Sequence, residues 1–186
     1  MFRSCIVGLV ALLGAAAVQA APESYTIQPG HTYPSFEAPH MGISLWRGKF
    51  NRTEGKVTLD RAAKTGTVNI IVDITSIDFG HDKMNERALS DMYFSADKFP
   101  KATYTGKINF TGDTPSSVDG QLTLLGVTKP LKLKINTFKC INRNGGEMCG
   151  ADAEADFDRG IFGMTRDTED GGGATKLRIQ VEARKD

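Results

Sequence analysis

The segment LTLLGVTKPLKLKI, residues 122–135, holds two apolar-alternating runs on either side of a Gly126–Pro130 break. Leu122 and Leu124 flank Thr123, while Leu131, Leu133 and Ile135 alternate with Lys132 and Lys134. Period two in both arms predicts two strands, each with one buried and one wet face. Glycine and proline in the break turn the chain so that both arms join one wall, with the lysines toward water.

The same period recurs on both sides of this hairpin. Val68, Ile70, Val72 and Ile74 share a face, as do Tyr104, Ile108 and Phe110, and Val118, Leu122 and Leu124. Ala151, Ala153, Ala155 and Phe157 alternate with Asp152, Glu154, Asp156 and Asp158, and Leu177, Ile179, Val181 and Ala183 alternate with polar residues. Shorter runs occupy Tyr25–Ile27, Leu45–Phe50 and Lys56–Asp60. About eight strands with short Gly-, Asn-, Asp- and Pro-containing connections predict an all-β antiparallel fold, either a sandwich or a barrel. Closure removes the edges of a sheet this large and favours an eight-stranded barrel, whose interior is filled by side chains or holds one small ligand. The exception is residues 83–97, where Leu89, Met92, Tyr93 and Ala96 recur at helical spacing before Pro100. This predicts one short helix flanking or capping the barrel.

Residues 1–20, MFRSCIVGLVALLGAAAVQA, carry Arg3, then an uncharged apolar run, then small residues at Val18 and Ala20. This reads as a secretory signal peptide cleaved near Ala20, leaving residues 21–186 as one exported domain that is soluble rather than membrane-spanning. Arg3 is the one charge in that leader, and without it the 23 basic and 22 acidic residues balance. Such a chain gives no sign of a nucleic-acid partner. Cys140 and Cys149 remain after cleavage and bracket an Asn144–Gly145–Gly146 turn signal, so an oxidising compartment predicts a disulfide between two hairpin arms.

Catalytic signatures are scarce: there is no Gly-x-Ser-x-Gly, His-Glu-x-x-His or phosphate loop. The histidines His31, His40 and His81 offer the only metal-site alternative, a metal-dependent enzyme. A filled barrel with a stress or interaction role is the other. The aromatics fit a packed core and a cavity wall equally well.

Several blocks together resemble the YceI-like family of polyisoprenoid-binding periplasmic proteins. They are HTYPSFEAPHMGISLWRGKFNRTEGKVTLD (31–60), TSID (75–78), SDMYFSADKFPKATY (90–104), GQLTLLGVTKP (120–130) and DRGIFGM (158–164), in family order. Two departures stand out: Arg87 and Ala88 precede Leu89 where the family often has a histidine, and Pro34 and Pro39 interrupt the first block. The resemblance implies a lipocalin-like barrel whose apolar tunnel binds an isoprenoid quinone, polyprenyl phosphate or fatty amide-like lipid, without catalysis, metal or catalytic cofactor, in a transport, storage or stress role. A homodimer is compatible with it. On this footing the expected tunnel lining is Phe36, Ile43, Leu45, Phe50, Ile70, Val72, Ile74, Tyr104, Phe110, Leu122, Leu124, Leu133, Phe162 and Met164. The expected polar mouth is His31, His40, Arg47 and Arg87.

Overall fold

The computed structural model describes residues 21–186; the leader expected over residues 1–20 lies outside them. The strands are β1 (Glu23–Ile27), β2 (Tyr33–His40), β3 (Ser44–Phe50), β4 (Thr53–Asp60), β5 (Thr65–Asp73), β6 (Ile77–Asp78), β7 (Lys101–Thr111), β8 (Thr114–Leu124), β9 (Val127–Arg143), β10 (Gly146–Asp158) and β11 (Ala174–Lys185). One helix, α1 (Asp82–Leu89), follows β6.

All pairings are antiparallel, and β1, β4, β5, β7, β8, β9, β10 and β11 follow one another until β11 returns to β1. This is a closed eight-stranded barrel. The extra strands arise because three of the staves are broken. β11 pairs with β1 at Ala183–Lys185 and with β2 at Lys176–Gln180, so β1 and β2 are successive pieces of one stave. In the same way β3 continues into β4, and β5 into β6 through a 3-10 turn at Ile74–Ser76.

The strands form where alternation predicted, and the turns between them are tighter. In the 122–135 hairpin, Leu125 and Gly126 alone make the turn, both at positive φ (52° and 75°), and β9 starts at Val127 and runs on through Pro130. Two residues at positive φ match the right-handed twist of the strands they join. Leu131 and Leu133 are buried, and Lys132 and Lys134 are exposed. The β9–β10 turn has the same form at Asn144–Gly145 and sets Cys140 directly opposite Cys149, which are disulfide-bonded.

Pro34 and Pro39 do not interrupt the first block; β2 runs through both. Pro34 is paired only with β11 and Pro39 only with β3, so each sits where β2 has a neighbour on one side. A strand tolerates a residue without an N–H in edge-like positions of this kind.

The helix is shorter than the 83–97 spacing implied. It spans eight residues, with Asp82 in its first turn and Arg87 in its last, both matched to the helix dipole. Ser90 ends it: its hydroxyl donates to the Arg87 carbonyl, and Met92, Tyr93 and Ala96 fall in turns beyond. Buried Ala88 seats α1 against Phe36, Phe50, Ile74 and Leu124 at one end of the barrel. That end also carries the β2–β3 and β8–β9 turns and residues 159–173. The opposite end carries the disulfide hairpin and the β4–β5 and β7–β8 turns.

Candidate ligand cavity

Inward side chains alternate along every stave, and their sizes leave the lumen unfilled. β10 contributes Ala151 and Ala153 to the wall, and β11 contributes Ala183. The result is a cavity of about 1170 Å³, above the roughly 300–1,000 Å³ of most small-molecule sites.

At its floor stands Tyr25, 1% exposed. Its ring lines the cavity, and its hydroxyl meets Glu23, Glu147 and Arg61. Arg61 bonds Glu147 at 3.0 Å and Glu23 at 3.3 Å. The bond from Arg61, then that from Tyr25, holds the Glu147 carboxyl below its usual range. Burial and these carboxylates push the tyrosine hydroxyl far up, so it stays protonated.

Above the floor is an aliphatic shaft formed by Leu59, Val68, Ile70, Ile108, Val118, Leu133, Ile135, Ala153 and Ile179. Tyr104 lies on it with its hydroxyl donating to the Leu131 carbonyl at 2.8 Å. Thr53, on the same wall, has a buried hydroxyl with no partner, the one such side-chain atom among the described residues. It is free to bond an oxygen of a bound molecule.

Toward the helix end the wall becomes aromatic. Phe36 packs on Phe50 and Phe79 at 5.8 and 5.5 Å, Phe50 on Phe94 at 5.8 Å, and Trp46 on Phe79 at 6.0 Å. All five rings line the cavity. Beyond them His40, Met41, Gly42, Arg87, Tyr93, Asp167, Glu169 and Asp170 form a polar mouth. His40 stacks on Trp46 at 4.3 Å. The Tyr93 hydroxyl donates to Asp167 at 2.6 Å, and the Arg87 and Arg159 guanidiniums both lie 6.0 Å from the Tyr93 ring centroid.

Arg159 is 8% exposed. Its guanidinium donates to the carbonyls of Met164, Arg166, Asp167 and Gly172 at 2.7–3.2 Å, tying down the loop that borders the mouth. Burial lowers its pKa, with Tyr93, Asp167 and Asp158 acting against that shift.

Of the expected lining residues, Phe36, Phe50, Ile70, Val72, Ile74, Tyr104, Leu122, Leu124, Leu133 and Met164 stand on the cavity wall. Ile43 and Leu45 do not: they are 81% and 49% exposed on the outer face of the β2–β3 hairpin. Ile43 stands in the turn itself, and the phase of Leu45 is set by Phe36, whose ring occupies the place a Gly48 side chain would take, 2.7 Å from it. That turns Trp46, Gly48 and Phe50 inward. Phe110 leaves the wall because the β7–β8 register shifts at Asn109/Phe110. Phe162 is buried in the 159–162 turn against Phe157 at 5.6 Å, outside this cavity.

At the mouth, His40 and Arg87 line the opening. His31 instead pairs with Glu182 on the outside at 3.0 Å, and Arg47 with Glu37 at 3.0 Å. The three histidines do not converge on a metal site. Among the described residues the one His, Cys and acid group within ligand distance is Cys140, Glu147 and Cys149, and both its sulfurs are spent in the disulfide.

Sequence reasoning missed Trp46, Thr53, Tyr93, Ala153 and Arg159. A signal existed for Trp46, since Arg47 and Lys49 alternate with Gly48 and Phe50. The alanine face of β10 likewise signalled room inside. Nothing local marks Tyr93 or Arg159, whose surroundings are assembled from distant segments.

The family model for YceI-like domains matches residues 25–184. The chain belongs to the YceI-like family. A UPF0312 protein of Yersinia enterocolitica is 31% identical over 190 residues, covering 98% of this chain and 97% of its own. One from Shewanella denitrificans is 30% identical, covering 95% and 97%.

Among solved structures, Burkholderia cenocepacia BcnA superposes with a TM-score of 0.68 at 20% identity, covering 84% of this chain and 98% of its own. A polyisoprenoid-binding domain from Saccharophagus degradans, implicated in plant cell wall breakdown, gives 0.67 at 14% identity, covering 88% and 99%. The YceI protein of Campylobacter jejuni gives 0.66 at 24% identity, covering 80% and 90%. These three structures share the fold of this chain. No helix among the described residues is long and apolar enough to cross a membrane.

Proposed function

We propose that this YceI-like protein is a non-catalytic carrier or reservoir that holds the tail of a polyisoprenoid, or a similar long-chain amphiphile, in its barrel. The observation that carries this reading is the cavity of about 1170 Å³, mainly apolar from the Tyr25 floor to the aromatic rings and with its charged side chains gathered at one mouth. A molecule with a long apolar tail and a small head matches that division. The polyisoprenoid-binding domain of S. degradans has the same fold, which supports the choice of ligand class.

Burying one methylene is worth about 0.8 kcal/mol, so a five-carbon isoprenoid unit contributes up to roughly 3–4 kcal/mol. Association costs about 4–15 kcal/mol, and micromolar binding corresponds to about 8 kcal/mol. Three or four units reach that affinity at the low end of the cost, without a strong polar anchor. Binding rather than catalysis also fits the polar groups on the wall. The hydroxyls of Tyr25 and Tyr104 and the guanidinium of Arg159 are already committed to protein partners.

The head group is a quinone, polyprenyl phosphate or fatty amide. It sits at the mouth beside His40 and Arg87 or at the Asp167–Asp170 rim. The leader at residues 1–20 and the Cys140–Cys149 disulfide support a periplasmic site of action, checked by fractionation and N-terminal sequencing of the exported chain. Mass spectrometry of lipid retained after gentle purification tests the function. A stoichiometric isoprenoid or long-chain lipid is expected, and extracts indistinguishable from a control barrel of another family refute the proposal.

A further inference from the structure

We propose that the barrel docks mouth-first on a lipid bilayer, with the β2–β3 turn as the inserted element. This rests on the lipid-cavity reading and adds the surface from which the lipid is taken.

Among the described residues, the large apolar side chains left exposed are Met41, Ile43, Leu45, Met92, Ile141 and Ile161. All but Ile141 belong to the end of the barrel where the cavity opens. Met41 and Ile43 are the extreme cases, at 80% and 81% exposure. The backbone places them there deliberately tightly: Met41 and Gly42 both have positive φ (54° and 70°), closed by the Ile43 amide donating to the His40 carbonyl at 3.1 Å. The tip Met41-Gly42-Ile43-Ser44-Leu45 carries no charge. Met41 and Gly42 also line the cavity, so the patch is continuous with its mouth.

The shape favours a bilayer over a second protein. A stable protein interface removes about 1,200–2,000 Å² of surface from water, with complementary packing. A three-residue turn whose tip carries the apolar side chains of Met41, Ile43 and Leu45 is too small and convex for that, whereas a fluid bilayer accepts a narrow apolar wedge. Docking at the mouth also gives the tail a route from bilayer to shaft that never crosses water. The acids Asp167, Glu169 and Asp170 beside the mouth argue for a neutral lipid surface, bound with little dependence on salt.

The test uses residues 21–186, which hold every strand of the closed barrel, with phosphatidylcholine vesicles and with farnesol free of vesicles. Vesicle binding is read by flotation. Ile43→Ser/Leu45→Ser removes two tip side chains that do not line the cavity; it should weaken vesicle partitioning about tenfold per side chain and leave farnesol uptake unchanged. Ile141→Ser, at the far end, should change neither. Equal partitioning of the double variant and the parent, or equal loss in Ile141→Ser, overturns the proposal. So does a parent dimer that the double variant dissolves, which assigns the patch to a second copy. Farnesol uptake without vesicle binding refutes docking alone; vesicle binding without farnesol uptake refutes the cavity reading and leaves docking standing.

Discussion

Ala153→Phe separates an open lumen from a filled one because the two make stability move in opposite directions. Ala153 is 5% exposed, lines the cavity, and stands between Ile135 on β9 and Ile179 on β11. In a filled core an added ring forces its neighbours aside and costs about 1–3 kcal/mol. Facing a cavity of about 1170 Å³, the ring finds space, and its burial contributes about 1.5–3 kcal/mol. Lost rotamer freedom takes back about 0.5–1 kcal/mol, leaving a net gain of about 1–2 kcal/mol. For a chain of this size Tm shifts by about 2–4 °C per kcal/mol. Scanning calorimetry on delipidated protein should therefore show Tm rising by about 2–8 °C. The same ring takes space from the tail. Excluding one five-carbon unit costs up to about 3–4 kcal/mol, a loss of affinity on the order of a hundredfold for a long isoprenoid alcohol. Titration followed by Trp46 fluorescence reads that loss. A Tm several degrees lower, together with undiminished long-chain binding, refutes the open-lumen reading.

Arg159→Met removes four donor contacts to backbone carbonyls and leaves those carbonyls unpaired; urea unfolding should show a loss of about 3 kcal/mol, and trypsin should cut faster at Arg166. Glu147 and Glu23 titrate below their usual range, Glu147 chiefly through its bond from Arg61 and Glu23 through its bond from Lys185. Their folded pKa values lie below the unfolded value of about 4.3, so their stabilisation is complete above that pH and is lost as pH falls through the folded values. Glu147→Gln should accordingly flatten the acid limb of a Tm-against-pH curve. Cys140→Ser/Cys149→Ser opens a short loop worth about 2.5 kcal/mol in the chain-entropy model, and Tm should fall by about 5–10 °C.

The staves were legible because each keeps one face wet: charged residues at alternate positions of β9, β10 and β11 mark the outside without ambiguity. Legibility failed where phase depends on a partner strand. Leu45 and Phe50 have opposite parity, and only the seating of Phe36 over Gly48 chooses between them. It failed again at Phe110, where a register shift ends the alternation, and at residues 90–97, where apolar spacing resembles a helix but Ser90 caps it early. The cavity mouth was half visible. His40 and Arg87 belong to it, but Tyr93, Arg159 and Asp167 meet only through the folded connection between β10 and β11. Side-chain chemistry alone did not place His31 and Arg47, which lie outside the barrel, Arg47 paired with Glu37 and His31 against Glu182.

Closure alone does not make a cavity, since eight staves enclose a lumen that side chains can fill. The alanines of β10 leave space by being small, but Tyr104 is large, inward-facing and placed midway along the shaft. Its ring would span the lumen if nothing turned it aside. Gly120, paired with Gly106 across β7 and β8, leaves a hollow in the wall beside it. The Tyr104 ring folds back into that hollow: a Cβ on Gly120 would sit 2.3 Å from the ring, far inside contact distance. The hydroxyl then reaches the Leu131 carbonyl on β9 at 2.8 Å, so the one polar atom of the side chain is spent within the wall. Gly120 and one backbone acceptor thus convert a residue that would plug the barrel into part of its lining. The LTLLGVTKPLKLKI hairpin supplies that acceptor at Leu131, which makes it a part of what keeps the lumen open as well as one side of the wall.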